Sequence, residues 1–239
     1  MTLQAIILAG GKGTRLLPYT MNFPKPLVPV GNYPILEIII RQLRALGFEK
    51  VTVLTGHLAE LIMAYFGNGE RWGIEISYVR EISPLNTAGA LKLMTACEDH
   101  FLVMNGDILT TLNYRHLYEE HLRHGAAATV SVVARATRID LGVVETDSAN
   151  FLSGYHEKPT IGHSVSMGVY VLSRACRELI AEGESIGMPD LLLRVLANGG
   201  RVYCAPTDTY WLDIGRVDDY ETAQREVMAD PKRFLLDGD

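Results

Sequence analysis

Residues 8–15 read Leu-Ala-Gly-Gly-Lys-Gly-Thr-Arg, and residues 23–26 read Phe-Pro-Lys-Pro. The glycine-rich turn comes directly after the apolar run 5–9, which is typical of a strand buried on both faces of a sheet. Its glycines let backbone N–H groups approach an anion closely. Arg15 and Lys25 can neutralise a triphosphate and the charge that develops at its α-phosphorus. This stretch therefore predicts a strand followed by a loop that binds a nucleoside triphosphate.

Two common glycine motifs do not fit this loop. A P-loop ends in Gly-Lys-Ser/Thr after four free positions, and residues 11–14 read Gly-Lys-Gly-Thr instead. The dinucleotide fingerprint needs a third glycine where this chain has Leu16, and Pro18 and Pro24 interrupt any helix that would follow. An ordinary turn with exposed cations is the alternative for the glycines alone. Arg15 follows the glycines, and Lys25 lies between two prolines further on. Together with the glycines, these two cations favour a phosphate-binding loop over an ordinary turn.

Further motifs in the same order give the chain a resemblance to a known family. They read Pro-Ile-Leu at 34–36, Arg-Trp-Gly-Ile at 71–74, Asn-Thr-Ala-Gly-Ala-Leu at 86–91, Asn-Gly-Asp at 105–107, Glu-Lys-Pro at 157–159 and Trp-Leu-Asp-Ile-Gly at 211–215. With them the chain resembles the sugar-1-phosphate nucleotidyltransferases, also called nucleotide-sugar pyrophosphorylases. It is most like the branch of mannose-1-phosphate and heptose-1-phosphate guanylyltransferases. The resemblance covers most of the chain and implies the nucleotidyltransferase (GT-A-like) fold.

Composition excludes several other classes of function. The chain has 239 residues and a net charge of −6, which argues against a nucleic-acid partner because binding to a phosphate backbone needs excess cations. Cys97, Cys176 and Cys204 show no disulfide or metal spacing and predict reduced thiols. No apolar run reaches membrane length, and the first residues lack the charged start of a signal peptide. We therefore expect a cytoplasmic protein with no membrane partner.

Strands and helices alternate through the first half of the chain. The apolar patterns predict strands at 5–9, 51–54, 74–79 and 101–104, and helices at 34–46, 58–66, 88–97 and 113–124. In the second half they predict strands at 128–134, 141–145, 151–157, 165–172 and 201–205, and helices at 176–182, 190–197 and 217–228. This order predicts an α/β fold with a Rossmann-like, mostly parallel mixed sheet and helices on both faces. Ligands of such sheets bind at the carboxyl ends of the strands.

The chain shows no linker, repeat or low-complexity segment. We therefore expect a single nucleotidyltransferase domain over 1–239, with a nucleotide-binding half at 1–125 and a sugar-phosphate-binding half at 126–239. Members of the family often carry a C-terminal left-handed β-helix of hexapeptide repeats. The sequence has no such repeats, so we expect neither this β-helix nor a fused acyltransferase activity. Apolar strands in the second half suggest a homodimer.

Two aspartates are the candidate metal ligands. Asp107 follows a predicted buried strand, and Asp213 lies between an aromatic segment and a glycine turn. Two carboxylates, with phosphate oxygens and waters, suit octahedral Mg²⁺. Taken singly, each aspartate would be read as a turn former or helix cap. Their occurrence together with Arg15 and Lys25 favours a Mg²⁺ site.

The resemblance implies a reaction and roles for particular residues. A sugar 1-phosphate attacks the α-phosphorus of a nucleoside triphosphate, and pyrophosphate leaves. The catalytic residues are Arg15 for the leaving pyrophosphate, Lys25 for the pentavalent oxygens and Asp107 for the metal. The residues expected to bind the nucleotide are Leu8, Ala9, Gly10, Gly11, Gly13, Thr14, Arg15, Lys25, Glu81, Asn86, Thr87, Gly89 and Asp107. Those expected to bind the sugar phosphate are Asn105, Gly142, Glu157, Lys158, Gly168 and Asp213.

The position of Glu81 bears on the choice of base. Related thymidylyltransferases have Gln there, whereas a carboxylate accepts two hydrogen bonds and donates none. Guanine offers N1–H and N2–H₂ side by side, so Glu81 favours GTP. Asn86 stands where the family usually has Gly, which alters the contacts near the ribose. UTP, dTTP or CTP with the same chemistry is the first alternative, and a non-catalytic regulatory subunit that binds nucleotide sugars is the second.

Overall fold

The structure, a computed structural model, describes residues 2–234. The strands in chain order are β1 (Gln4–Ala9), β2 (Pro29–Val30), β3 (Tyr33–Pro34), β4 (Lys50–Thr55), β5 (Glu75–Arg80), β6 (His100–Asn105), β7 (Ile108–Thr110), β8 (Ala128–Arg138), β9 (Gly142–Thr146), β10 (Leu152–Glu157), β11 (Thr160–Ser173), β12 (Val202–Thr207) and β13 (Trp211–Asp213). The α-helices are α1 (Ile35–Ala45), α2 (Ala59–Phe66), α3 (Asn86–Gly89), α4 (Tyr114–His124), α5 (Arg174–Glu178), α6 (Met188–Ala197) and α7 (Val217–Ala229).

Seven of these strands form the central sheet, in the order β12-β8-β11-β6-β1-β4-β5. β1 pairs in parallel with β4 and β6, β4 with β5, and β12 with β8. β11 runs antiparallel to both β6 and β8. The predicted mostly parallel mixed sheet is therefore confirmed. The carboxyl ends of β1, β4, β5 and β6 lie along one edge.

Helices cover both faces of this sheet, which explains the unbroken apolar run in β1. Ala5, Ile7 and Ala9 belong to the core on one face, together with side chains from α1, α2, α4 and α7. Ile6 belongs to the core on the other face, with side chains from α3, α5 and α6. A strand covered on both sides buries side chains on both faces, so its sequence does not alternate. None of the helices within residues 2–234 is long and apolar enough to span a membrane.

The helix predicted over 88–97 is wrong. α3 ends at Gly89, a 3-10 helix covers Ala90–Leu93, and no regular structure follows until β6. Arg177 explains the early end, because its guanidinium donates to the backbone oxygens of Leu91, Lys92 and Met94. The last carbonyl groups of a helix need hydrogen-bond donors. Here Arg177 supplies these donors, so the helix does not have to continue.

Residues 134–164, which we call the exposed ribbon, extend beyond the central sheet. They comprise the outer parts of β8 and β11 and the antiparallel pair β9–β10. The structure describes all of these residues, and none of them is buried. The predicted strands at 141–145 and 151–157 are present, but the ribbon has no core of its own to pack it against the rest of the fold.

Candidate active site

A cavity of about 390 Å³ opens at the carboxyl edge of the sheet. Several predicted site residues line it: Leu8, Gly10, Gly11, Arg15, Glu81, Asn86, Thr87, Asn105, Asp107 and Asp213. They come from the turn after β1, the loop after β5, the end of β6 and the end of β13. The structure therefore brings together residues as far apart in the sequence as Leu8 and Asp213.

The glycine turn places its cations by folding back on itself. Gly13 has a φ of +63°, and a Cβ built there would lie 3.0 Å from Thr20 Cγ2 and 3.1 Å from Lys25 Cβ. Thr20 Oγ1 donates to the backbone oxygen of Gly13 at 2.8 Å, which closes the loop. Only glycine meets both the backbone and the steric requirement. Gly13 thus shapes the loop that carries Arg15 and Lys25, although it does not itself line the cavity.

Lys25, which is not itself part of the cavity lining, forms an ion pair with Asp107, which is. Lys25 Nζ donates to Asp107 Oδ2. The side chains are only 11% and 24% exposed, so water screens this pair less than a surface pair. The other oxygen of Asp107, Oδ1, is buried and has no hydrogen-bond partner among residues 2–234. A buried carboxylate oxygen without a donor is suited to accept a bound cation.

Asp213 lies beside Asp107 because two short strands pair. β13 runs antiparallel to β7 with Asp213 opposite Ile108, and Ile214 N donates to the backbone oxygen of Asp107 at 3.0 Å. The pKa of the Asp213 carboxyl is raised, first by loss of solvation from the surrounding protein and then by the Asp107 carboxylate, while Lys25 and Arg15 oppose the shift. Two carboxylates that disfavour each other's charge are stabilised by a cation between them.

These two groups fit a divalent ion whose remaining ligands come from substrate and water. Within the described residues, no group of three or more His, Cys, Asp or Glu side chains could hold a metal ion. The partnerless Oδ1 of Asp107 and the raised pKa of Asp213 nevertheless match a site with two oxygen ligands. Arg15 completes this wall of the cavity, since a Cβ built at Gly215 would lie 3.5 Å from Arg15 Nη1.

Glu81 and Asn86 lie on the opposite side of the cavity. Glu81 N donates to Thr55 O at 2.7 Å, and Glu81 Oε1 accepts a hydrogen bond from Leu85 N. The other oxygen, Oε2, faces the glycine turn, 2.5 Å from a Cβ built at Gly10. Asn86 has a φ of +66°, a conformation that glycine adopts without strain and that asparagine tolerates. One carboxylate oxygen of Glu81 is therefore already engaged, which the sequence did not indicate.

Other predicted residues act behind the cavity or lie away from it. Ala9, Thr14, Lys25 and Gly89 are not part of its lining. Gly168, with a φ of +73°, lies behind Asn105, because a Cβ there would be 2.7 Å from Asn105 Nδ2. The residues that the structure does not bring to the cavity are those of the exposed ribbon: Gly142, Glu157 and Lys158.

Some lining residues were missed by the sequence reasoning. Leu54, Pro84 and Ala90 also line the cavity. Leu54 lies near the carboxyl end of β4. Ligands of such sheets bind at the carboxyl ends of the strands, and this rule would have found Leu54. Pro84 carries no motif signal of its own, whereas Ala90 belongs to the motif at 86–91 but was not among the predicted site residues.

Comparison with known proteins gives the family. Residues 4–230 match the family model described as nucleotidyl transferase, and the chain belongs to this family. A UTP–glucose-1-phosphate uridylyltransferase of Synechocystis is 33% identical over 95% of this chain. A D-glycero-alpha-D-manno-heptose 1-phosphate guanylyltransferase of Aneurinibacillus thermoaerophilus is 32% identical over 95% of this chain. A mannose-1-phosphate guanylyltransferase of Mycobacterium tuberculosis is 30% identical over 94%. The predicted family is confirmed.

The relatives differ in length. The chain spans 64% of the Synechocystis and Mycobacterium proteins and 99% of the Aneurinibacillus protein. Two solved structures share the fold: a putative glucose-1-phosphate thymidylyltransferase from Bacillus anthracis and HddC from Yersinia pseudotuberculosis. Their TM-scores are 0.78 and 0.74 at 23% and 24% identity, covering 98% and 94% of this chain and 99% of each of theirs. The predicted nucleotidyltransferase fold is confirmed. Members of the family generally use a divalent metal ion.

Proposed function

We propose that this protein joins a nucleoside triphosphate to a sugar 1-phosphate, giving a nucleotide sugar and pyrophosphate. A phosphate oxygen of the sugar 1-phosphate forms a bond to the α-phosphorus, and the bond from that phosphorus to the bridging oxygen of pyrophosphate breaks. The observation that carries the proposal is the Lys25–Asp107 ion pair, with its partnerless carboxylate oxygen, beside Asp213 and Arg15. Such a reaction mainly needs two anions brought together and their repulsion cancelled.

Each side chain has a task that its position supports. Lys25 is held by Asp107, which lines the cavity, and can donate to the oxygens of the α-phosphate as charge develops there. Arg15 lies at the glycine turn, where its guanidinium can bind the leaving pyrophosphate in a bidentate manner. Asp107 and Asp213 would hold the divalent ion, for which we propose Mg²⁺. When bound, this ion would neutralise charge on both phosphates.

GTP is the nucleotide that we propose, with UTP as the alternative. Glu81 offers Oε2 and the free lone pair of Oε1 as acceptors, and guanine presents two adjacent donors, N1–H and N2–H₂. Uracil, the base of the alternative UTP, presents one N–H between two carbonyls, which a carboxylate disfavours. Relatives named as guanylyltransferases support GTP, whereas the Synechocystis relative is named as a uridylyltransferase. dTTP and CTP remain part of the alternative.

Pyrophosphate release tests this proposal. GTP, UTP, dTTP and CTP would each be paired with mannose, glucose and heptose 1-phosphates. We expect turnover with GTP and a mannose-like or heptose-like substrate. Nucleotide binding without turnover for any pair would favour the non-catalytic regulatory subunit and contradict the proposed activity.

Glu81→Gln is expected to lower kcat/KM for GTP by about 10- to 100-fold, because one acceptor for guanine becomes a donor. For UTP the same change is expected to have less effect or to raise the rate. Steady-state kinetics with both nucleotides would measure the ratio. Glu75→Gln is the matched control, since Glu75 is exposed at the amino end of β5. Equal losses for GTP and UTP would contradict the reading of guanine by Glu81.

Gly10→Ala is expected to raise KM for the nucleotide about tenfold while the protein stays folded. The added Cβ would lie 2.5 Å from Glu81 Oε2, so the flexible carboxylate must leave its place. Gly11→Ala is the comparison, because a Cβ there meets no atom within 4 Å. Nucleotide titrations of both variants would measure the difference. Equal KM values in the two variants would contradict the view that displacement of the Glu81 carboxylate weakens nucleotide binding.

Recognition of the sugar phosphate by Gly142, Glu157 and Lys158 stays part of the proposal. None of these three residues lines the cavity, and the exposed ribbon that carries them has no buried residue, so we propose that it moves towards Asn105 and Asp213 when the sugar phosphate binds. A single domain with two functional halves and a homodimer also remain predictions, and the molar mass in solution would test the homodimer.

We place the protein in the cytoplasm, since Cys97, Cys176 and Cys204 are free thiols.

A further inference from the structure

We propose that Thr87 is a positioning residue, which ties the nucleotide-binding edge of the cavity to the start of α6. This inference rests on the proposed function. It departs from the expected role of Thr87 as a nucleotide ligand, because its hydroxyl oxygen already accepts a hydrogen bond from Met188 N at 2.8 Å. Met188 is the first residue of α6, and its N–H is one of the donors that a helix leaves without an internal partner. Thr87 therefore caps α6 from another part of the chain.

More hydrogen bonds join the same two segments. We call residues 85–89 the lip and residues 184–188 the strap. Ala88 N and Gly89 N both donate to Ile186 O, at 3.0 and 3.1 Å, and Ile186 N donates to Leu85 O at 3.1 Å. A Cβ built at Gly89 would lie 2.2 Å from Glu184 O, so the two backbones are in direct contact. The lip, which contains only the single turn of α3, is held by these bonds to the strap.

The strap is itself anchored at its first residue. Glu184 pairs with Arg194 of α6 through two hydrogen bonds, at 2.8 and 2.5 Å, and accepts another from Ala181 N at 2.9 Å. Arg194 also donates to Leu179 O at 2.8 Å. The pKa of Glu184 is lowered to about 2, chiefly by its hydrogen bond to Arg194, so this pair remains charged at neutral pH.

The lip in turn orients the group proposed to read the base. Glu81 Oε1 accepts from Leu85 N, and Leu85 O accepts from Ile186 N. A displacement of the strap would therefore move Leu85 and turn the carboxylate of Glu81. Asn86, which lines the cavity, lies between Leu85 and Thr87 and would move with them. Thr87 thus acts on the nucleotide through the backbone of the lip.

The test compares Thr87→Val, which removes the hydroxyl at nearly constant volume, with Thr87→Ser, which keeps it. For Thr87→Val we expect faster hydrogen exchange at the Met188 amide and a rise of about tenfold in KM for GTP. The KM for the sugar phosphate should change little. Thr87→Ser should leave both the hydrogen exchange of the Met188 amide and the KM for GTP near their wild-type values. Thr222→Val is the control, because its hydroxyl donates to Asp218 O and accepts from Arg225, both within α7.

A second variant separates positioning from direct contact. Glu184→Gln weakens the anchor of the strap without touching the cavity lining. We expect Glu184→Gln to raise the KM for GTP, as Thr87→Val does. In the double variant the KM should rise by less than the product of the two single effects. Unchanged Met188 exchange in Thr87→Val, or a Glu184→Gln enzyme with the KM of the wild type, would overturn the inference. Failure of the proposed function is a different result, namely no turnover by the wild-type protein.

Discussion

Asp107→Asn is expected to lower kcat/KM for pyrophosphate release by about 10²- to 10³-fold. The amide has nearly the shape of the carboxylate but lacks its charge, and one of its two atoms becomes a donor. That donor would face either Lys25 Nζ or the place where a cation would bind, and both are positive. The partnerless Oδ1 and the bonded Oδ2 of Asp107 have different surroundings, so the amide cannot satisfy both.

The control for this variant is Asp99→Asn. Asp99 immediately precedes β6, at the opposite end of the strand that leads to Asp107, and its side chain is 80% exposed in an ion pair with Arg174. Exposed pairs contribute little to stability, so we expect wild-type activity and a nearly unchanged Tm. Thermal unfolding of Asp107→Asn would show that the protein is folded. Wild-type turnover by a folded Asp107→Asn enzyme would remove the basis of the proposed metal site.

Lys25→Met is expected to lower kcat by about 10²-fold or more, because the cation that stabilises charge at the α-phosphate is lost. Met retains the length and most of the apolar contacts of a side chain that is 11% exposed. The change also leaves Asp107 without its cation, so we expect unfolding to become easier by about 1–3 kcal/mol. Pyrophosphate release and urea unfolding would measure the two effects.

The double variant Lys25→Met/Asp107→Asn distinguishes stability from catalysis. It contains neither member of the ion pair, so we expect its stability to exceed that of Lys25→Met alone, since no partly buried charge is left unpaired. Its activity should stay as low as that of either single variant. Lys50→Met, at a 42% exposed lysine at the amino end of β4, is the control. Turnover by Lys25→Met at the wild-type rate would contradict the role given to Lys25.

The residues that the sequence predicted well carry local signals. β1 is an unbroken apolar run between two cores, and the turn after it contains glycines whose left-handed or crowded positions exclude other residues. The carboxyl-edge rule then placed Asn105 and Asp107 beside this turn, which the cavity lining bears out. These features depend on short stretches of chain and on the regular geometry of a parallel sheet.

The predicted helix that failed, and the predicted roles that stay untested, depend on partners far away in the sequence. The helix over 88–97 fails because Arg177 and Ile186 bind its backbone groups. The predicted role of Thr87 as a nucleotide ligand stays a prediction, and nothing near Thr87 in the sequence indicates its hydrogen bond from Met188 N. Glu157 and Lys158 lie in the exposed ribbon. No local sequence pattern predicts where this ribbon lies relative to the cavity.

The amino-acid sequence by itself determined the alternation of strands and helices, the glycine turn and the identity of the charged groups, because these follow from apolar periodicity and from the chemistry of single side chains. Only the tertiary structure decided which of those groups meet. The pairing of β7 with β13 sets Asp213 beside Asp107, and the bonds from the strap set the lip. Such contacts join positions about a hundred residues apart, and their geometry arises only when the whole sheet and its covering helices are packed.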